Sequence, residues 1–247
     1  MSDYADTSRS GDRVTDASRL IGYALQPRLL PAPHEEYRAL LSRYLTETEF
    51  EATVRSVATG LDLVILDSSL AVGLVVGSTQ DSVFEWKVGD YAKRAGAGRN
   101  VRDRVMHGLI HVAIAATAFP RPADLTTDGS VQRVTAAGVD RFLRATIEKM
   151  LGDTGDRDPE LEAIGAIYAK LPQAGKTTDD RRLSGASTSM IAKALEFLTD
   201  QGMLNYVNDE DGGTYRTTLR FQVQVRELAG GPLFSAIIAL HDDAEVA

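Results

Sequence analysis

The stretch "LEFLTDQGMLNYVNDEDGGTYRTTLRFQVQV", residues 195–225, decides the fold. Its first third closes a helical pattern that begins further back: in "SGASTSMIAKALEFLTDQG" (184–202), Met190, Ile191, Ala194, Leu195 and Leu198 share one face. Ser187 is the expected cap of that helix and Gly202 its stop. A short strand, a turn and a long alternating run then follow. Tyr215, Thr217, Leu219, Phe221, Val223 and Val225 alternate with Arg216, Thr218, Arg220, Gln222, Gln224 and Arg226, which predicts a strand apolar on one side and basic on the other. The turn between the strands is Asn208-Asp209-Glu210-Asp211, an acidic tip.

The pattern has a precursor. "PELEAIGAIYAKL" (159–171) predicts a helix with Asp158 as cap, Pro159 in its first turn and Leu161, Ile164, Ile167, Tyr168 and Leu171 inward. Helix, helix, hairpin over 158–226 is the skeleton of a winged helix. Residues 34–88 repeat it. "HEEYRALLSRYL" (34–45) places Tyr37, Leu40, Leu41 and Tyr44 on one face, and "TETEFEATVRSVATG" (46–60) does so with Phe50, Val54 and Val57. Thr46 with Glu49 reads as a capping box, and Gly60 as a stop. "LDLVILD", "LAVGLVVG" and "SVFEWKV" then read as a hairpin with an added strand.

Between the copies lies helical sequence: "VRDRVMHGLIHVAIAATAF" (101–119), apolar almost all round and suited to burial on several sides or in a subunit interface, and "TAAGVDRFLRATIEKML" (135–151). "LGDTGDRDP" (151–159) is the expected linker, and "GPLFSAIIALH" (231–241) the expected closing helix. The expected class is α+β, mainly helical: a disordered or extended tail at 1–30, a first winged helix at 31–95, a helical middle segment at 96–155, a second winged helix at 156–240 and a tail at 241–247. Residues 1–19 are expected to be disordered because they carry so little apolar material.

Composition narrows the function. The formal charge of −8 disfavours phosphate binding over the surface as a whole, so a nucleic-acid site requires a local basic patch. With no cysteine, thiolate metal sites, disulfides and a cysteine nucleophile are excluded. The absence of a signal-like start and of a long apolar run leads to the expectation of a cytoplasmic protein without membrane contact.

Enzyme motifs fail on context. Gly175-Lys176-Thr177 suggests a phosphate loop, but Lys170, in a predicted helix, stands where the leading glycine belongs. "AGAG" at 95–98 lacks the unit that follows a dinucleotide fingerprint. His107 and His111 have one-face spacing without the glutamate of a zinc protease; only Asp103 is near, and His34 and His241 are distant in sequence. No serine sits in a nucleophile elbow. The expectation is therefore no enzyme, no cofactor and no metal site.

A DNA-reading winged helix carries cations on its second helix and wing. Here the second helix of copy two shows Lys193, Glu196, Asp200 and Gln201, and that of copy one Glu47, Glu49 and Glu51 against Arg55. Cations gather instead at Lys87, Lys93, Arg94, Arg99, Arg102 and Arg104, the candidate DNA-binding positions. Arg216, Arg220 and Arg226 form a second basic stripe and Arg181-Arg182 a third.

On "YRALLSRYLTETEFEATVRSVATGLDLVILDSSLAVGLVV" (37–76) and "SMIAKALEFLTDQGMLNYVNDEDGGTYRTTLRFQV" (189–223), the chain resembles the kleisin-interacting tandem winged-helix (KITE) subunits of bacterial SMC complexes. Within these it is most similar to the small subunit of Mks-type condensins, whose defence version is the Wadjet anti-plasmid system. The resemblance implies a homodimer that binds a kleisin, reaches an SMC-type ATPase through it, and helps entrap DNA regardless of sequence at the nucleoid or on plasmids. Leu40, Tyr44, Phe50, Met106 and Ile110 are the candidate partner contacts. The alternative is a winged-helix transcription regulator reading a defined operator.

Overall fold

A computed structural model describes residues 2–79, 82–85, 101–126, 131–152, 159–173 and 185–228. The chain is α+β and mainly helical, and divides into two compact units, Met1–Glu85 and Trp86–Ala247.

Unit 1 is built from α1 (Ser2–Ala24), α2 (Glu35–Thr46), α3 (Thr48–Gly60) and the antiparallel hairpin β1 (Leu63–Ser69) and β2 (Gly73–Ser78). Helix α1 replaces the expected tail. Ala17, Leu20, Ile21 and Ala24 recur at helical spacing, and all four are buried against Tyr37, Leu41, Phe50 and Leu74. Burial of Leu20 and Ile21 contributes about 1.5 to 3 kcal/mol each against the ordering entropy of that part of the helix. Polar contacts fix its pitch across the bundle. Asp16 accepts from Arg43 of α2 at 2.7 Å, Glu49 of α3 pairs with Arg13 at 3.0 Å, and the Arg43 guanidinium lies 4.3 Å from the Phe50 ring centre. The bond to Asp16 holds the Arg43 guanidinium even more firmly protonated than usual.

The expected capping box is corrected. Thr46 ends α2, its hydroxyl donating to the Ser42 carbonyl, and α3 begins after Glu47 without a side-chain cap. His34 caps α2 instead, its Nδ1 accepting from the Tyr37 amide at 3.2 Å. The expected third strand is corrected too: residues 82–85 form a turn, with the Glu85 amide donating to the Ser82 carbonyl at 3.0 Å, and Val83 is 89% exposed. Residues 86–88 lie outside the described ones.

The hairpin is tied to the helices by a buried bond. Tyr37 of α2 accepts from the Leu74 amide at 2.8 Å, immediately after Gly73. Gly73 has φ of +94°, and a Cβ there would fall 2.2 Å from the Tyr37 hydroxyl. Only glycine meets both demands.

Unit 2 comprises α4 (Val101–Ala118), α5 (Pro122–Thr126), β3 (Arg133–Thr135), α6 (Ala136–Gly152), α7 (Pro159–Ala169), α8 (Ser187–Asp200), β4 (Leu204–Asn208), a 3-10 turn at Glu210–Gly212, β5 (Thr214–Thr217) and α9 (Leu219–Leu228). Its antiparallel sheet has the order β3-β5-β4. Ile110 of α4, Leu143 of α6, Tyr168 of α7, Leu195 of α8 and Tyr215 of β5 belong to one core. The middle segment expected at 96–155 is therefore no separate body. Its helices pack in the same core as those after the expected linker, because α4 is apolar on several sides and needs α6, α7 and α8 around it.

The expected strand across 215–226 is the largest correction. It stops at Thr217, and Leu219–Leu228 is a helix. Strand β4 begins at Leu204, opposite Thr217, and β3 at Arg133, opposite Arg216, so among the described residues no partner strand extends beyond that row. Thr218 then starts the helix, its hydroxyl accepting from the Phe221 amide at 3.3 Å. Phe221, Val223 and Val225 are buried all the same, and Gln222 is satisfied by donating to the Asp124 carbonyl at 2.8 Å. Strand β3 was not foreseen: three residues are too few for a periodic signal. Ser187 opens α8 but does not cap it, since Ala186 is the cap residue. The segment 231–241 lies outside the described residues.

Candidate partner and nucleic-acid surfaces

Of the six candidate DNA-binding positions, Lys87, Lys93, Arg94 and Arg99 lie outside the described residues, and Arg102 is described for its backbone in α4. Arg104 is exposed in the first turns of the same helix. The five candidate partner contacts are corrected. Leu40, Tyr44 and Phe50 are 6, 4 and 1% exposed in the core of unit 1, and Met106 and Ile110 are 5 and 0% exposed in that of unit 2. Each already spends its apolar area inside its own unit and presents almost none to another polypeptide.

The basic stripe expected at Arg216, Arg220 and Arg226 is likewise divided. Arg216 is exposed on β5, whereas Arg220 and Arg226 belong to α9 and are half-buried. Arg181 and Arg182 lie outside the described residues. On α3 the acidic residues are engaged in ion pairs: Glu49 with Arg13, and Glu51 with Arg55 at 2.9 Å. On α8, Glu196 and Asp200 are exposed and Lys193 is half-buried. The acidic tip between β4 and β5 is real and sharply turned, with Asp211 and Gly212 at φ of +54° and +79°. Its Glu210 lies 3.5 Å from Arg133.

His107 is 1% exposed within the apolar surroundings of α4. His111, one turn on, lies with its Nδ1 2.9 Å from the His107 carbonyl and packs edge-on against Phe197 of α8, ring centres 6.0 Å apart. Among the described residues no three His, Cys, Asp or Glu residues gather closely enough to hold a metal ion. Burial holds the His111 pKa below its ordinary 6.5. The unfolded chain therefore takes up a proton before the folded one does. His111 thus contributes stability that is complete above about pH 7 and is lost as pH falls through 6.5 towards the folded value. Urea unfolding at several pH values should show His111→Gln narrowing the acid-side decline relative to the unaltered chain; parallel curves would refute this.

Comparison with known proteins gives no relative: no family model, no curated protein and no solved structure matches this chain. Its own geometry therefore carries the argument. Among the described residues no helix is long and apolar enough to cross a membrane.

Two polar constellations escaped the sequence reading. The first is a buried clasp joining α6, α7 and α8. Asp140, 3% exposed, accepts from Tyr168 at 2.8 Å and from Arg144 at 3.0 Å. Arg144 also donates to the carbonyls of Ala169 and Leu171, at 3.2 and 2.9 Å, and to the Ser187 hydroxyl at 3.1 Å. Burial first, and then the bond to Asp140, push the Tyr168 phenol far above its usual range, so it stays a donor. Every group named here is satisfied within the protein, which fits a device that seats α8 rather than a reactive centre. Its sequence signal was the Asp140–Arg144 spacing of four on one helix.

The second constellation is a row across the sheet. Arg133, Arg216 and Asn205 are in register on β3, β5 and β4, and all three are exposed. Register partners share a face, so the two arginines lie on the face opposite the one that buries Val134 and Tyr215, and the Arg133 guanidinium reaches Glu210 at 3.5 Å and the Thr214 hydroxyl at 3.4 Å.

Proposed function

We propose that this chain is a non-catalytic KITE-type subunit of an SMC, condensin-like complex, a homodimer that binds a kleisin and helps hold or translocate DNA. The observation that carries the reading is the repeated order of parts. Unit 1 runs α1, α2, α3 and a hairpin, and unit 2 contains the run α8, β4, β5, followed by α9, with β3 on the far side of β5. Both orders suit winged helices, the sheet order β3-β5-β4 being what a strand before the last helices and a wing after them would produce. The surfaces that would read DNA in such a module suit it poorly. The acidic side chains of α3 face Arg13 and Arg55, α8 shows Glu196 and Asp200, and the wing tip carries Asp209, Glu210 and Asp211. A protein-facing role for these surfaces follows from that charge, and any DNA contact would fall to cations elsewhere, such as Arg104.

Co-expression with a kleisin and an SMC-type ATPase from the same genome tests the proposal. The expected result is a stable complex containing two copies of this chain, together with DNA affinity that ignores sequence and falls steeply between low and physiological salt. A monomer that binds a palindromic operator with base-dependent, salt-resistant affinity would replace the reading with that of a transcription regulator.

A further inference from the structure

We propose that His34 is a proton-operated latch on the start of α2: as a neutral imidazole it caps the helix, and on protonation it releases the Tyr37 amide and loosens the corner where α1 and α2 meet. The inference concerns unit 1 alone and goes beyond the proposed function.

The geometry of the cap sets its chemistry. His34 precedes α2 with extended backbone, φ −116° and ψ 100°, and its Nδ1 accepts from the Tyr37 amide at 3.2 Å. Tyr37 is the third residue of α2, a position where amides have no acceptor within the helix and depend on a capping side chain or water. A ring nitrogen accepts only through a free lone pair, so the proton of the neutral ring is on Nε2. Protonation fills that lone pair and sets one donor against another. An Asn, Ser or Thr cap keeps its acceptor at any pH, whereas histidine is the side chain whose charge changes between about pH 5 and 8.

The surroundings give the protonated ring an alternative. Glu35 and Glu36 line one open depression with Pro33, His34 and Ala39, so carboxylates are close to an imidazolium that has left the cap. From α1, the Tyr23 ring lies 4.8 Å from that of His34, the Tyr23 hydroxyl donates to Glu36 at 2.7 Å, and Arg19 pairs with Glu36 at 3.3 Å. The bond to Glu36 holds the Tyr23 phenol above its usual range, so it stays a donor throughout. Arg38 of α2 donates to the Ala32 carbonyl at 3.4 Å, and Arg28 is exposed on the connection from α1.

The latch acts on a residue that joins three elements. Tyr37 is held at its amide by His34, its ring lies 5.2 Å from that of Tyr23 on α1, and its hydroxyl accepts from the Leu74 amide of β2 at 2.8 Å. Releasing the first turn of α2 therefore slackens the contact between both helices and the hairpin.

Hydrogen exchange of the Tyr37 amide, read by NMR on the full chain from pH 8 to pH 5 and expressed relative to the intrinsic rate at each pH, is the test, with His34→Asn and His34→Ala as comparison chains. The unaltered chain should match His34→Asn at pH 8 and His34→Ala at pH 5, its protection falling about fivefold, the factor that corresponds to a cap of about 1 kcal/mol. Each variant should stay level, because asparagine caps at every pH and alanine at none. Glu35, Glu36, His107, His111 and His241 are kept in both, so their own titration cancels. Ring-nitrogen shifts of the unaltered chain at pH 8 should show the Nε2–H form, a readout that needs no variant. The proposal is overturned if Tyr37 protection in the unaltered chain does not change with pH, if His34→Asn loses as much on acidification, or if the ring carries its proton on Nδ1 at pH 8. Kleisin binding enters none of these readouts, so the latch and the proposed function fail separately.

Discussion

Replacing Arg144 with Met is expected to destabilise unit 2 by about 3 kcal/mol, the lower part of the range for breaking a buried ion pair by removing one partner. For a body of this size that lowers the melting temperature by about 6 to 12 °C. The reason is what remains. Asp140 keeps its bond from Tyr168 but loses its cation while 3% exposed, and the carbonyls of Ala169 and Leu171 and the hydroxyl of Ser187 lose a donor together. A double-mutant cycle with Asp140→Asn separates the pair from the carbonyl contacts. The neutral amide still accepts from Tyr168, so the double variant should be less damaged than the sum of the single ones by about 1 kcal/mol or more. A loss below about 1 kcal/mol for Arg144→Met would show that the clasp is incidental.

Gly73→Ala is the second large effect and falls on unit 1. The new methyl would sit 2.2 Å from the Tyr37 hydroxyl at a residue whose φ is +94°, so a steric and a conformational penalty act together. About 3 kcal/mol is expected from overpacking and left-handed strain combined. Relief requires Tyr37 to withdraw, which breaks its bond with the Leu74 amide and loosens the start of β2. Faster hydrogen exchange across 63–78, with little change in unit 2, is the measurement. Adding Tyr37→Phe should recover part of the loss because the closest clash disappears. An alanine variant as stable as the parent would mean that the hairpin shifts freely on the helices, contrary to the packing of Leu63, Leu74 and Val76 in the core.

What the sequence disclosed follows the length and exclusivity of each local signal. Helices α2, α3, α6, α7 and α8 were legible because each repeats its apolar spacing over several turns. The hairpin β1–β2 was legible from two β-branched runs separated by a short polar turn. Helix α1 was missed because its polar first half outweighs, in composition, the four apolar positions that anchor its second half. Residues 219–228 were misread because Phe221, Val223 and Val225 satisfy period two while all being buried in a helix enclosed on several sides. Alternation identifies a strand only where one face is solvated, and here the decisive fact was the end of the partner strands at Thr217, a tertiary property.

The candidate surfaces were less legible than the fold. Tyr44 and Ile110 read equally well as core or contact, since an apolar stripe does not state what covers it. The Arg133–Arg216–Asn205 row could not be seen because β3 itself was unseen and its register with β5 spans distant parts of the chain. Asp140, Tyr168 and Ser187 looked like ordinary helix residues until three helices converged on one guanidinium.

The way Arg144 grips the chain on either side of the interval between Gln173 and Gly185 bears on how firmly α8 is seated. The amides of Ser187 and Thr188 return to the carbonyls of Pro172 and Gln173, so the chain is pinned to itself across that interval. The start of α8 is thus held twice over, by main-chain bonds to Pro172 and Gln173 and by the guanidinium of Arg144 on Ser187.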